Sequence, residues 1–490
     1  MPGTGSPVSP HGDVPHPLGQ GGTPGAGHEM RLPAAPAPTT VRTPVNVLTD
    51  ESTITRWTLD NPMGLLHRRS VAVTRNDAPD RPARRVPAPL LRPEGFTMSA
   101  HAGTRSFDVV VVGLGGLGSA AAWHLARSGR SVLGLEQFEF GHGNGASHDT
   151  SRILRHSYHR PDYVRLTHHA YADWADLEQA SGERLVTTTG GVDLRPEGSS
   201  LPLDDYWKSL DSENIPYELL TGEEVTTRWP QISLPEGTTA LYQERTSIVP
   251  AARSVAAMQR LARASGATLL DRTPVTAVHP TAHGVEVVTP DARYSAGQVV
   301  LCTDAWANTL LTPLGRTVPL TVLDQQVTYF EPPEPERFAP ATFPVWIWLD
   351  EPSFFGFPCY GEATVKAGED CGGPEVSPDR RTGTTDGAML DRLSGFMAER
   401  FPGSGAPVRS RRCLYTLTPD RDFVLGTVPG AERILVGLGA AHAYKFAPTL
   451  GRMLAELADD PALAATEPYT TFRLDRPALT DPGHPVNWMT

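Results

Sequence analysis

One stretch restricts what this chain can fold into more than any other. Phe107-Asp-Val-Val-Val-Val112 is a β-branched run of the kind that forms a strand buried on both faces. Gly113, Gly115 and Gly118 follow at G-x-G-x-x-G spacing, and the alanine-rich Ser119 to Arg127 is helix-forming. Gly129 ends that helix, Ser131 to Leu135 reads as a second strand, and Glu136 closes the unit. Strand, glycine turn, helix, second strand and terminal acid together predict an α/β fold with a Rossmann-like dinucleotide site. The glycines permit a tight turn and close backbone approach to a pyrophosphate, the helix N-terminus supplies amide donors, and Glu136 is placed to take the ribose hydroxyls. An acid at that position disfavours a 2′-phosphate and hence NADP. The motif alone does not separate FAD from NAD.

The rest of the chain narrows the class. Its 490 residues suggest two or three domains, at about 100–200 residues each. The net charge of −12 argues against nucleic acid or an anionic membrane as partner. Cys302, Cys359, Cys371 and Cys413 form no C-x-x-C pair and no zinc-like spacing, so no metal is expected and the thiols read as free in a reducing cytoplasm. Residues 1–97 hold 16 prolines and 10 glycines but only two aromatics, Trp57 and Phe96. Such a segment buries too little apolar surface to offset its ordering entropy and is expected to be a disordered extension without a secretory signal. Glu94-Gly95 codons can spell a ribosome-binding sequence ahead of Met98, so translation from Met98 is the sharper expectation. Of 43 basic residues only Lys208, Lys366 and Lys445 are lysine, which marks these three as positions where arginine does not substitute.

After Glu136 comes Gly141-His-Gly-Asn-Gly-Ala-Ser-His-Asp-Thr-Ser-Arg-Ile-Leu-Arg-His-Ser-Tyr158, a polar loop in which Arg152 and Arg155 share a face if the segment is helical. Here the chain resembles the monomeric sarcosine oxidase and N-methyltryptophan oxidase family, whose matching stretch ends Arg-Ile-Ile-Arg-His-Ala-Tyr. The resemblance runs over roughly residues 105 to 475 and has three further anchors. Phe354-Phe-Gly-Phe-Pro-Cys-Tyr-Gly followed by Lys366-Ala-Gly resembles the family's Tyr-Gly-Phe-Pro and Leu-Lys-x-Gly segments. Cys413-Leu-Tyr-Thr-Leu-Thr-Pro-Asp-Arg-Asp-Phe-Val-Leu is close to Cys-Met-Tyr-Thr-x-Thr-x-Asp-x-x-Phe-Ile, and His442-Ala-Tyr-Lys445-Phe resembles His-Gly-Phe-Lys-Phe.

The resemblance implies FAD as cofactor, attached through Cys413 as an 8α-S-cysteinyl thioether. It implies that Ser147, Arg152, Val275 and Lys445 also contact the cofactor, with Val275 near the adenine. His148 and Arg152 would lie beside the flavin, Arg155 and Lys445 would hold a substrate carboxylate, and Lys366 would promote reaction with oxygen. Arg411 and Arg412, next to Cys413, suggest a positive setting that favours its thiolate. Pro448 suits the first turn of an amphipathic helix through Leu457 whose positive end points at the flavin.

The implied architecture is an FAD-binding domain of residues 105–187, 245–315 and 415–475, interleaved with an α+β substrate domain of residues 188–244 and 316–414 on a mixed sheet. Val255 to Ser265 reads as a helix, and Leu269 to Val278, Gly284 to Val288, Gln298 to Cys302 and Val345 to Leu349 read as strands. The implied activity is FAD-dependent oxidation of an N-methyl or other secondary, including cyclic, amino acid, with O2 reduced to H2O2 by a monomeric cytoplasmic enzyme. An NAD-dependent dehydrogenase, an amine dehydrogenase using another acceptor, and a flavin-binding protein without oxidase turnover are the competing classes. Four departures bear on the substrate: Asp370 stands where the family has histidine, Phe355 where it has tyrosine, and Ala441 and Ala443 where it has glycine. Asp370 in particular is expected to disfavour acidic substrates and favour an additional amine. Asp304 also replaces a usual glycine.

Overall fold

The computed structural model describes residues 45–48, 54–57 and 105–487. Val45–Leu48 and Ile54–Trp57 pair as two antiparallel strands within the stretch expected to lack structure. The rest of that expectation, and the start at Met98, lie outside the described residues. Residues 105–487 belong to one compact unit.

That unit is built around two eight-stranded sheets. In the first, the parallel strands Thr268–Leu270, Val132–Leu135, Arg105–Val112 and Arg293–Leu301 lie side by side, with Ala431–Leu438 continuing parallel to the last. On the side of Arg293–Leu301 away from Arg105–Val112 two hairpins meet it, Ala277–Pro280/Val285–Val288 along residues 293–296 and Val424–Val428/Ala431–Leu438 along residues 299–301, so Thr268–Leu270 is the opposite edge. Val109, Val110 and Val111 are fully buried, as a strand covered on both faces requires. The expected strand from Leu269 to Val278 is two strands: Arg272 has a positive φ and Pro274 offers no amide, so the ladder breaks between them.

Helix Gly116–Arg127 lies on this sheet, flanked by Ala251–Ala264 and by Ala447–Asp459, whose first turn carries Pro448. Gly451 makes that last contact possible. A Cβ there would stand 2.3 Å from the Ala120 Cβ and 2.6 Å from the Ala121 amide, so only glycine lets the two helices approach so closely.

The second sheet is mixed. Its order is Ala406–Leu417, Thr321–Glu331, Val365–Glu369, Phe354–Phe357, Val345–Trp348, Gly191–Arg195, Thr239–Gln243, Glu218–Thr221, with one parallel pair, Val345–Trp348 against Gly191–Arg195. Its apolar face closes on Gly387–Arg400 and neighbouring loops through Trp346, which stacks on Phe401 with centroids 4.1 Å apart. A short three-stranded sheet of Arg152–Leu154, Ser247–Val249 and Thr187–Thr188 completes the strands. Among the described residues no helix is long and apolar enough to cross a membrane.

Candidate active site

The glycine turn is dictated by sterics. Gly113 has φ +86° and a Cβ there would sit 2.4 Å from the Cys302 carbonyl oxygen; a Cβ on Gly118 would sit 1.8 Å from the Gly113 oxygen. Gly118 therefore packs helix on strand and stays off the cavity wall. Gly115 meets only the Ser147 hydroxyl in front of it, at 3.0 Å from an added Cβ, which leaves its backbone open to a ligand. The Gly116 amide, first of the helix, donates to Ser147 Oγ at 2.9 Å. The N-terminus of Ala447–Asp459 comes up beside it, with Ala447 Cβ 3.3 Å from where a Gly116 Cβ would be, so two positive helix ends converge.

A cavity of about 860 Å³ runs from this turn through the molecule. At one end lie Glu136, Thr273 and Val275. Glu136 accepts from the Leu114 amide at 2.8 Å and the Phe138 amide at 3.1 Å, with His142 Nε2 at 3.4 Å. Burial would raise this carboxyl, but the hydrogen bonds from His142 and the two amides outweigh it and hold it below its ordinary value. An ionised acid at a strand end, an open glycine backbone and a helix amide facing only a hydroxyl fit a dinucleotide with free ribose hydroxyls.

Mid-cavity the wall passes to the second sheet. Lys366, on Val365–Glu369, points in beside Cys413, on Ala406–Leu417. Lys366 Nζ pairs with Asp149 Oδ2 at 2.7 Å and donates to the Ser151 carbonyl at 3.1 Å. Burial, then the Arg152 charge, pushes the lysine down to about 8, with Asp149 pulling the other way. Asp149 also accepts from Tyr329 Oη. Burial alone would raise its carboxyl, yet Lys366, Tyr329 and Arg152 hold it well below the ordinary range.

Three readings of this region need correction. Arg152–Leu154 is a strand, so Arg152 and Arg155 do not share a helical face. Arg152 instead folds back onto the Ala146, His148 and Ser151 carbonyls, while Arg155 reaches Asp193, and both still line the cavity. Cys413 is not poised as a thiolate by Arg411 and Arg412. Burial raises the thiol, and the cations that oppose this are Arg152 and Lys366. Arg412, adjacent in the chain, projects to the opposite face and is taken by Asp324 at 2.8 Å. Asp370 is not a free anion, because Arg421 grips it at 2.9 and 3.1 Å. His148 lines the cavity with its imidazole pushed down to about 4, by burial first and Arg152 second.

The far end holds Arg155, Arg421 and Lys445. Arg155 pairs with Asp193 Oδ1 at 3.3 Å and lies over the Tyr158 ring at 5.2 Å. Lys445 Nζ donates to Tyr158 Oη at 2.8 Å. Tyr206 lines this end, and the Ala441 and Ala443 methyls add bulk. Asp149, Asp193, Tyr158, Tyr329 and Arg421 also belong to this network, and no sequence motif marks them. An acid set among the apolar residues Gly191, Val192 and Leu194 is a usable signal for Asp193; nothing comparable flags Tyr158. Asp304 is half-buried in the wall of this cavity, accepts from Thr416 Oγ1 at 3.0 Å, and is raised by desolvation to about 6. Among the described residues no group of His, Cys, Asp and Glu could hold a metal ion.

Residues 108–457 match the family model described as FAD dependent oxidoreductase. Monomeric sarcosine oxidase from Streptomyces avermitilis is 35% identical over 72% of this chain and 94% of that protein. N-methyl-L-tryptophan oxidase from Yersinia pestis is 30% identical over 72% of this chain and 95% of that protein. The open form of NikD, an unusual amino acid oxidase essential for nikkomycin biosynthesis, superposes with a TM-score of 0.67 at 31% identity, over 73% of this chain and 95% of that one. With its nucleotide turn, buried lysine and cation-lined cavity, the chain belongs to the FAD dependent oxidoreductase family.

Proposed function

We propose that this oxidoreductase acts on an N-methyl or other secondary amino acid, cyclic ones included, and returns the electrons to O2 as H2O2. The observation that carries this reading is the pairing of basic groups at the far end of the cavity. Arg155 and Arg421 are each matched by an aspartate, Asp193 and Asp370, while Lys445 has no carboxylate partner among the described residues. This third basic group is left for one substrate carboxylate, and Lys366 and Cys413 line the same cavity.

FAD, when bound, supplies the acceptor for a hydride equivalent from the amine carbon. Gly113, Gly115, Ser147, Glu136 and Val275 would hold its nucleotide half, with Gly118 keeping the turn tight. Cys413 would carry it covalently through the 8α carbon, with Arg152 and His148 alongside. Arg155 gives the substrate carboxylate a planar fork and Lys445 a point charge, fixing the amine carbon in one place. Lys366, a cation in a water-poor setting, stabilises the negative charge that develops as oxygen is reduced. The two sheets would belong to the two interleaved domains outlined above, in a monomeric enzyme of the cytoplasm without nucleic-acid or membrane partners.

The test is peroxide release from the purified holoenzyme across N-methyl, cyclic and primary amino acids, with an artificial electron acceptor in parallel. Peroxide with a secondary amino acid is expected. Turnover with the artificial acceptor and none with O2 would identify a dehydrogenase, and no turnover with either would leave a flavin-binding protein.

A further inference from the structure

Arg155 and Arg421 each have an aspartate at hydrogen-bond distance, whereas Lys445 pairs with no carboxylate among the described residues. Its two acceptors are neutral: Tyr158 Oη at 2.8 Å and the His442 carbonyl at 3.3 Å. Beyond them the network has one sense. His442 Nε2 lies 2.8 Å from the Arg421 carbonyl, which can only accept, so Nε2 carries the hydrogen. Nδ1 is then the bare acceptor for the Tyr158 hydroxyl at 3.2 Å, leaving the Tyr158 oxygen to face the lysine. A buried ammonium with neutral partners and two guanidinium neighbours is the least favourable charge in this wall.

The groups that face Lys445 are Arg155, Arg421, Asp370, Tyr158 and His442, with Asp193 behind Arg155. Burial first, then Arg155 and Arg421, drives the lysine well below its ordinary value, and Asp370 offsets only part. His442 is driven down too, by burial and by Lys445 itself, so it does not compete as a base.

We propose that Lys445 takes the ammonium proton of the amino acid as its carboxylate docks, so that the substrate is captured as a zwitterion and held as a neutral amine. This rests on the amino-acid reading given above. The substrate N–H bond breaks, an N–H bond forms on Nζ, and the bonding pair stays on the substrate nitrogen as the lone pair that hydride loss from its carbon requires; nothing is oxidised or reduced. Lys445 becomes the counter-charge of the carboxylate, two bonds away from the amine it has deprotonated. An arginine would grip the carboxylate equally well but does not deprotonate, which explains a lysine here in a chain with only three among 43 basic residues.

Proton exchange on binding tests this, measured on the oxidised holoenzyme near pH 7.5 by calorimetry in buffers of different ionisation enthalpy. The probes are propionate, which has no amine, and 2-aminoisobutyrate, a zwitterion with no hydrogen on the carbon bearing nitrogen. Propionate should take up about one proton per site from solution, and 2-aminoisobutyrate close to none, because it brings its own. In Lys445→Arg the uptake with propionate should vanish. Propionate binding without uptake, equal uptake with both probes, or uptake persisting in Lys445→Arg would each overturn the proposal. If neither probe binds the wild-type holoenzyme, it is the amino-acid reading that fails.

Discussion

Asp149→Asn tests how the chain keeps Lys366 charged. The substitution preserves shape and suits the backbone, since residue 149 has φ +78° and asparagine tolerates that region as readily as aspartate. It removes the one anion that pairs with Lys366 among the described residues, and the side chains of Lys366 and Asp149 are only 5% and 9% exposed. Breaking a buried pair by deleting one partner costs about 3–5 kcal/mol, and the retained amide hydrogen bond argues for the lower end. At about 1.36 kcal/mol per pKa unit, ~3 kcal/mol takes Lys366 from about 8 to about 6. At pH 7.5 the charged fraction then falls about 20-fold. The assay is stopped-flow reoxidation of anaerobically reduced enzyme by dissolved oxygen between pH 5.5 and 9. Wild-type reoxidation should slow as pH rises through about 8, where the lysine loses its proton. The variant should be about 20-fold slower at pH 7.5 and recover as pH falls below about 6. Wild-type rates in the variant at pH 7.5, or a deficit that acid does not relieve, would refute the charge argument.

Other outcomes follow from the same geometry. Cys413→Ser should give an acid-precipitated pellet without colour while the wild-type pellet stays yellow, and a colourless wild-type pellet would remove the covalent assignment. Gly118→Ala should abolish FAD retention on gel filtration, because the added methyl overlaps the Gly113 carbonyl oxygen and forces the nucleotide turn open. Gly451→Ala should cost about 1–3 kcal/mol by overpacking the contact with Ala120, read as a lower urea midpoint with unchanged slope. Asp370→Asn should remove one negative charge beside Arg421 and raise affinity for acidic substrates at least severalfold; KM values for an N-methyl amino acid and its dicarboxylic analogue measure this.

What could be read in the sequence was what short-range sterics determine. The turn at Gly113 and Gly118, the helix behind it and Glu136 at the next strand end are a contiguous unit in which each residue type has one physical reason to be there. The lysines were legible for a different reason, their rarity, and it held for two of the three: Lys366 and Lys445 are buried in the cavity wall, whereas Lys208 is exposed and pairs with Asp204 one helical turn away, a place where arginine would serve as well. The counter-ions were not legible. Asp149 with Lys366, Asp193 with Arg155 and Asp370 with Arg421 join residues on different strands and loops, and no local pattern encodes such pairs. The misjudged setting of Cys413 has the same origin: Arg412 points to the opposite face, and although Arg411 lines the cavity with Cys413, the cations that act most on the thiol, Arg152 and Lys366, come from other strands.

The strand Ala406–Leu417 carries a mechanical consequence. Cys413 sits on an edge of the mixed sheet, whereas the glycine turn that receives the nucleotide belongs to the parallel sheet. Under the Cys413 assignment the cofactor is a crosslink, riveted to one sheet and resting in the other. Loading would then couple the melting of two halves that are otherwise joined by the polypeptide backbone and by noncovalent contacts. Calorimetric scans should show a single sharper endotherm for holoenzyme, and a broader or split one for Cys413→Ser without flavin.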